Sequence, residues 1–242
     1  QLKANKHNEW TPLEGDGDFR SDECVGLLKQ SDIVVTNPPF SLFREYLKQL
    51  MEYKKKFVII GSMNALKYAN IFPLIKNNKI WLGVSNGAKT FIKPDKTEQK
   101  MGNTCWFTNI DHGRRHQPLP LMTKAELIKF VTKKPFLKYD NYDAIEVSQV
   151  KNIPSDYKGA IGVPISFLDK YNPEQFEIIG LGQGNLYREL TPKGLNKEFV
   201  NNYYQNGGTG SISEDHPILG YYNEDGKATI PYMRIIIKHK TK

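Results

Sequence analysis

The chain has 242 residues, of which 39% are hydrophobic, 12% aromatic and 25% charged, a composition that excludes a disordered chain. Thirty-four Lys and Arg against 26 Asp and Glu give a formal net charge of +8, which fits either a nucleic-acid partner or a merely soluble basic protein. No apolar run approaches the roughly 18–20 residues that cross a bilayer, and Cys24 and Cys105 match neither a metal-ligand spacing nor a disulfide scaffold, so we expect a cytoplasmic protein without membrane contact.

Strands and helices are predicted to alternate over the first half of the chain. The β-branched run from Ser31 to Thr36 predicts a buried parallel strand, and apolar residues at helical spacing predict a helix over 41–53 with Ser41 as its N-cap. The other predicted elements are a helix over 22–30, a strand over 57–61, a helix over 64–76 interrupted near Pro73, a strand over 79–84, a polar loop over 86–100 and a strand over 103–110. This alternation predicts a mostly parallel α/β sheet, with the strand near Cys105–Ile110 antiparallel.

The sequence changes character between Lys124 and Lys138. Beyond this soft boundary the segments are short and contain Tyr, Asn, Gly and Pro throughout, and the tail from Tyr232 to Lys238 predicts a final strand. We therefore expect two regions, 1–134 and 135–242, the second of them mixed α+β.

Asn37-Pro38-Pro39-Phe40 is the strongest functional signal, because ligands of open parallel sheets bind at the carboxyl ends of the strands. The Asn37 side chain and the Pro38 main chain offer two carbonyl oxygens, which can hold both hydrogens of an exocyclic amino group and direct its nitrogen lone pair at a methyl donor. The prolines stiffen the loop, and Phe40 offers a face for stacking on a flipped base. A simple turn after a strand is the alternative interpretation.

The same tetrapeptide resembles motif IV of the S-adenosylmethionine (SAM)-dependent amino-methyltransferases. The surrounding stretches resemble the EcoRI-type adenine-specific DNA methyltransferases over most of residues 12–182; they are 15–24, 40–46, 72–78, 106–109, 138–145 and 171–180. The resemblance implies a Rossmann-like methyltransferase sheet in 1–134 and a target-recognition region in 135–242. It implies transfer of a methyl group from SAM to the N6 amino group of adenine in double-stranded DNA, with restriction-modification as the setting.

Within this family Asp18-Phe19 resembles motif III, whose acid accepts a hydrogen bond from the SAM adenine and whose aromatic ring packs on it. Trp106-Phe107 resembles motif VIII, whose aromatic ring packs on the flipped base; the sequence does not decide which of the two faces the site, and the other is core. An acidic, glycine-rich turn is the alternative for Asp16 and Asp18. Asn37, Pro38, Pro39 and Phe40 are the implied catalytic residues.

The Gly-rich motif I, which carries most SAM contacts in these enzymes, does not precede Gly15. We expect a fragment whose sheet lacks its N-terminal strands and whose partner is a missing N-terminal segment of the same enzyme. The alternative is a permuted order with the glycines of 180–184 as motif I, although a Gly-x-Gly-x-Gly pattern alone is weak. The expectation for this chain alone is weak or absent SAM binding.

Polar and basic segments are candidates for DNA contact. Arg114 and Arg115, which follow the motif VIII-like strand, predict a phosphate clamp, and the segments 201–208 and 238–242 predict further contacts. Each is equally compatible with a solvated loop. Two other functions stay open: a DNA-binding remnant without catalysis, and an RNA or protein-glutamine N-methyltransferase.

Overall fold

The computed structural model describes residues 12–84, 86–87, 89–93, 95–184, 189–190 and 193–240. Two four-stranded mixed sheets dominate this part of the chain, accompanied by two small hairpins. Within the described ranges, no helix has the length and apolar character needed to traverse a membrane.

The first sheet has the order β1-β2-β6-β3. Its strands are β1 (Ile33–Thr36), β2 (Lys56–Ser62), β3 (Trp81–Leu82) and β6 (Thr104–Thr108). β1 and β2 are parallel, whereas β6 pairs antiparallel with both β2 and β3. Three strands thus run in one direction and β6 runs against them, as predicted. The carboxyl ends of β1, β2 and β3 and the start of β6 consequently share one edge of the sheet.

Helices precede or connect the first three strands of this sheet along the chain. They are α1 (Asp22–Gln30), α2 (Phe43–Glu52) and α3 (Phe72–Lys76), with short 3-10 helices at Phe40–Leu42 and Met63–Lys67. Phe43, Leu47 and Leu50 of α2 are at most 2% exposed, and the Phe43 ring lies 4.9 Å from that of Phe107. Gly61 of β2 permits this contact, because a Cβ there would lie 2.5 Å from the Phe43 ring.

The second sheet has the order β7-β8-β12-β9. Its strands are β7 (Ala144–Glu146), β8 (Ala160–Pro164), β9 (Phe176–Leu181) and β12 (Arg234–His239). The predicted C-terminal strand is therefore confirmed as β12, in the middle of this sheet. One main hydrophobic cluster includes buried residues of both sheets, so the core is continuous across the predicted boundary.

Smaller elements surround the two sheets. They are the hairpins β4 (Lys89–Ile92) with β5 (Glu98–Met101) and β10 (Tyr221–Tyr222) with β11 (Ala228–Thr229), helix α4 (Lys124–Glu126) running into a π-helix (Leu127–Thr132), helix α5 (Lys197–Gln205), and 3-10 helices at Gly113–His116, Val150–Asn152 and Ile165–Lys170.

Four local predictions are wrong. Ser41 is not the N-cap of α2, because a 3-10 turn intervenes and Leu42 takes that position. Pro73 lies in the first turn of α3, which begins at Phe72, instead of interrupting a longer helix, since its missing N–H costs nothing there. The predicted loop over 86–100 contains the β4–β5 hairpin. β1 is an edge strand with two exposed side chains, Ile33 and Val35, and is not buried.

Candidate functional site

The segment Asn37–Phe40 leaves the sheet at the end of β1. Thr36 is the last residue of β1 paired with β2, and the two prolines that follow cannot donate ladder hydrogen bonds. Pro38 is buried, whereas Asn37 is exposed and its carboxamide has no hydrogen-bond partner among the described residues. The tetrapeptide is thus anchored through Pro38, and the polar group that could bind a substrate is left available.

A cavity of about 700 Å³ lies beside this segment. It is bounded by the acidic loop, α1, β1 and α2; the lining residues with predicted roles are Asp18, Phe19, Asn37, Pro38 and Pro39. The structure therefore brings the motif III-like pair and most of the motif IV-like segment into one cavity. Phe40, half-buried in the following 3-10 turn, does not line it.

The acidic loop is fixed by hydrogen bonds to α1. The backbone N–H groups of Glu14 and Gly15 donate to the Glu23 carboxylate at 2.8 and 3.0 Å, and that of Asp18 donates to Asp16 Oδ1 at 3.0 Å. Gly17 has a φ of +79°, a left-handed conformation suited to glycine. These contacts set the position of Asp18 at the cavity wall.

Asp18 is paired with Arg20. The Arg20 side chain lies 2.6 Å from Asp18 Oδ2, and the Arg20 backbone N–H donates to Oδ1 at 2.9 Å. These hydrogen bonds lower the pKa of Asp18 from 3.8 to about 2. The carboxylate, which is ionised at neutral pH even at its ordinary pKa, therefore stays ionised further into the acidic range and can accept a hydrogen bond from an amino group.

Phe19 is oriented by two residues of α2. Its ring meets that of Tyr46 edge to face at 4.9 Å, and its backbone oxygen accepts from Gln49 Nε2 at 3.0 Å. The Gln49 Oε1 atom is buried without a partner in the described chain. Tyr46 and Gln49 both line the cavity, so α2 helps to build the site as well as the core.

Trp106 and Phe107 differ in exposure. Phe107 is 0% exposed and packs on Phe43 in the core, so it has no free face for a base. Trp106 is half-buried on the other face of β6, although it does not line the cavity. Of the two residues, only Trp106 keeps any accessible surface.

Arg114 and Arg115 both have partners within the chain. Arg114 forms a 2.5 Å ion pair with Asp169. The Arg115 guanidinium lies 3.9 Å from the ring centroid of Trp81 and donates to Asn78 Oδ1 at 2.6 Å. Neither side chain lines the cavity, and in this structure both guanidinium groups are engaged by residues of the same chain.

The other polar candidates lie in the second half of the chain. Residues 201–205 belong to α5, where Asn202 accepts from the Ala228 N–H at 2.8 Å and so ties the helix to β11. The hydroxyls of Tyr203 and Tyr204 bond the backbone of the following loop. Of the segment 238–242, the last two residues fall outside the described residues, as do residues 185–188, which follow the 180–184 glycines.

Several residues that build the cavity escaped the sequence predictions. Arg20, Cys24, Leu27, Tyr46 and Gln49 contact the site or line the cavity. Cys24, Leu27 and Tyr46 do stand at helical spacing in the sequence, but that pattern indicates a core face and cannot separate core from cavity wall.

Comparison with known proteins identifies the family. A family model described as "Adenine-specific methyltransferase EcoRI" matches residues 2–240. The chain belongs to the EcoRI adenine-specific methyltransferase family. Similar curated members of this family include the Type II methyltransferase M.EcoRI of Escherichia coli, which is 50% identical over 197 residues, 74% of this chain and 59% of the relative.

Two mycoplasma proteins are also similar. The Type II methyltransferase M.MpnI of Mycoplasma pneumoniae is 43% identical over 69% of this chain and 57% of its own length. M.MgeORF184P of Mycoplasma genitalium is 40% identical over 70% of this chain and 58% of its own length. The chain thus matches somewhat more than half the length of each of these family members. No solved structure is significantly similar to it.

Proposed function

We propose that this protein transfers a methyl group from SAM to the N6 amino group of adenine in a specific sequence of double-stranded DNA. The observation that carries this proposal is the exposed carboxamide of Asn37 at the end of β1, which has no hydrogen-bond partner within the part of the chain that the structure describes and lies beside a cavity that also holds Asp18 and Phe19. Family membership supports the same reaction, since the family and its named members are adenine-specific and Type II methyltransferases.

Asn37 and Pro38 would act on the target amine. Each of their two carbonyl oxygens accepts a hydrogen bond from one N–H of the amine. The nitrogen lone pair is then directed away from the loop and towards the methyl donor. The amine gains positive charge as it attacks, so these hydrogen bonds strengthen on the way to the transition state. Phe40 would stack on the flipped adenine. The methyl–sulfur bond of the donor would break as the nitrogen–methyl bond forms, with the thioether as leaving group, and the methylated nitrogen would then lose a proton to solvent.

The cavity fits the adenosine part of SAM. It offers a planar aromatic ring, Phe19, and an ionised carboxylate, Asp18, whose pKa is low because Arg20 binds it. An adenine ring packs on the first, and its amino group donates to the second. When bound, SAM supplies the electrophilic methyl group; the residues of this chain position its adenine and leave the methionine end to other contacts.

The edge of the first sheet supports a Rossmann-like continuation. Among the described strands, β1 is paired only with β2, and Ile33 and Val35 are 51% and 68% exposed. An apolar strand edge of this kind normally pairs or is covered. We infer that the strands carrying the motif I contacts to SAM pair there in the complete enzyme.

We further propose a division of labour between the two regions of the chain. The Asn37 cavity belongs to residues 1–134, which we assign to catalysis, and residues 135–242 are assigned to target recognition. Within the first region Trp106 is assigned to the flipped base, while buried Phe107 supports the sheet. We place its action in the cytoplasm.

Methyl transfer to three classes of acceptor tests the proposal. The complete enzyme is incubated with SAM labelled in its methyl group and with duplex DNA, structured RNA or a protein mixture, and the products are hydrolysed. We expect label in N6-methyladenine from DNA alone. Label in RNA adenines or protein glutamines would move the function to another acceptor class, and duplex binding without any transfer would indicate a DNA-binding remnant.

A further inference from the structure

We infer that the β4–β5 hairpin is a DNA-binding arm that enters a groove of the duplex beside the target base. The inference rests on the proposed function for its substrate, and it adds a contact surface that neither the motifs nor the family resemblance indicates. The hairpin, residues 89–101, contains four lysines against one Asp and one Glu, a net charge of +2.

The base of the hairpin is held firmly by the sheet. The Asn86 side chain donates to the Gly83 oxygen at 2.8 Å and accepts from the Trp106 N–H at 3.1 Å. Gly87 and Thr104 exchange two hydrogen bonds, each of 2.9 Å. These contacts join the end of β3 to the start of β6, so the base of the hairpin is tied to the sheet.

This attachment places the base of the hairpin at the edge of the sheet that also carries Asn37. The hairpin connects the carboxyl end of β3 to the amino end of β6, and both ends share an edge with the carboxyl end of β1. β6 is two strands from β1, a separation of roughly 10 Å. A duplex that delivers a base to Asn37 therefore has its neighbouring base pairs within reach of the hairpin.

The side chains of the hairpin pack little against the protein core. None of its side chains that the structure describes is buried, and none belongs to a hydrophobic cluster. Ile92, beside the turn, is 75% exposed. An isolated two-stranded hairpin is at best marginally stable in water, so exposed apolar side chains and lysines on such an arm indicate a surface that contacts a partner.

The charges favour DNA as that partner. Lys93, Lys96 and Lys100 are all exposed, whereas Asp95 is occupied in the turn by the Thr97 N–H and hydroxyl at 2.9 and 2.6 Å. The major groove admits a two-stranded ribbon, which allows lysines to reach phosphates while Ile92 contacts base edges or thymine methyl groups. Lysines on a strand edge also disfavour pairing with a second copy of the chain.

Salt-dependent DNA binding tests the inference. The triple variant Lys93→Gln, Lys96→Gln, Lys100→Gln is compared with Lys48→Gln, Lys56→Gln, Lys79→Gln, which removes the same charge from exposed positions away from the hairpin. The probe is a fluorescent duplex titrated at several salt concentrations. Since each phosphate contact contributes about 0.9 to the slope of log K against log salt, we expect the hairpin variant to lose about 2–3 from this slope and at least tenfold in affinity.

The control triple is expected to keep most of the wild-type slope. Ile92→Ser should weaken duplex binding severalfold with the slope unchanged, because it removes an apolar contact and no charge. Equal losses in the two triple variants, unchanged affinity of Ile92→Ser, or no duplex binding by the wild-type chain would each overturn the inference. If the enzyme methylates adenine in DNA while the hairpin variants bind normally, the DNA-binding role of the hairpin is refuted and the proposed reaction stands. If the hairpin variants lose DNA binding but the enzyme transfers no methyl group, the DNA-binding role of the hairpin is supported and the proposed reaction fails.

Discussion

Arg20 binds Asp18 through both its side chain and its backbone, with the guanidinium 2.6 Å from Oδ2 and the N–H 2.9 Å from Oδ1. The same guanidinium lies 5.4 Å from the ring centroid of Phe19. One arginine therefore orients both residues that we assign to the adenine of SAM, and the Asp18 carboxylate reaches the cavity already ionised.

We expect Arg20→Gln to raise the pKa of Asp18 from about 2 towards its ordinary value, because the hydrogen bonds from Arg20 cause the shift. A folded-state pKa below the unfolded one means that the pair stabilises the fold above about pH 4. This contribution is lost as the pH falls through the folded pKa. Carboxyl NMR titration of Asp18 measures the shift, with Arg44→Gln as control. An identical Asp18 titration in wild type and Arg20→Gln would contradict the assignment.

Glu146 and Arg234 form a buried ion pair in the second sheet, with Oε1 and the guanidinium 2.6 Å apart and side chains only 5% and 11% exposed. Tyr139 donates its hydroxyl to the same carboxylate, and burial raises the pKa of this tyrosine, which keeps it protonated. We expect Arg234→Leu to lower the free energy of unfolding by about 3–5 kcal/mol, because it leaves a buried charge unpaired. Urea denaturation measures this loss.

The double variant Arg234→Leu, Glu146→Leu should recover part of that stability, since no charge is then buried alone and only the Tyr139 hydroxyl loses its acceptor. Breaking the exposed pair of Lys48 and Glu52 by Lys48→Leu should cost less than about 1 kcal/mol. A double variant as unstable as Arg234→Leu would show that packing, and not the unpaired carboxylate, causes the loss.

The periodic elements could be predicted from the sequence, whereas their surroundings could not. α1 and β2 follow directly from helical and strand patterns. The apolar run of β1 predicts a strand correctly. The exposure of Ile33 and Val35 shows that one face of this strand is uncovered, which an apolar run cannot indicate. The β4–β5 hairpin is exposed on both faces, so it lacks the apolar alternation by which strands are predicted.

The candidate site divides in the same way. Asn37, Asp18 and Phe19 stand out because their chemistry is specific and lies in short motifs. Arg20 and Gln49 act through contacts that only the folded chain creates, with Gln49 reaching back 30 positions to the Phe19 oxygen. Arg114 has a partner of the same kind, since a basic cluster in the sequence says nothing of an Asp169 that is 55 positions away.

Phe107 and Trp106 are neighbours on β6 with different expected roles. We expect Phe107→Ala to lower the free energy of unfolding by about 3–5 kcal/mol, because it empties a fully buried site against Phe43. Trp106→Ala should cost less stability, since the indole is only half-buried. Urea denaturation of both variants measures the difference. Equal losses would show that both aromatic rings serve the core, and Trp106 would lose its assignment to the flipped base.

The decisive variant is Asn37→Ala in the complete enzyme. Its carboxamide has no partner among the described residues, so its removal disturbs no internal hydrogen bond and should leave the fold intact. We expect kcat to fall by about 10²–10³, the usual effect of removing one preorganised polar group that acts in the transition state. DNA affinity should change little, because phosphate contacts elsewhere dominate it. Single-turnover methylation at saturating DNA measures the chemical step.

Phe40→Ala separates this effect from base stacking. Loss of a stacking face worth roughly 1–3 kcal/mol should weaken binding to duplexes whose target adenine is already unpaired, and Asn37→Ala should not share that defect. Asn77→Ala, an exposed C-cap substitution at the end of α3, serves as control for a lost asparagine. If Asn37→Ala methylates within threefold of the wild-type rate, the segment from Asn37 to Phe40 is only a turn after a strand. The methyl acceptor would then have to be held by other residues at this edge of the sheet.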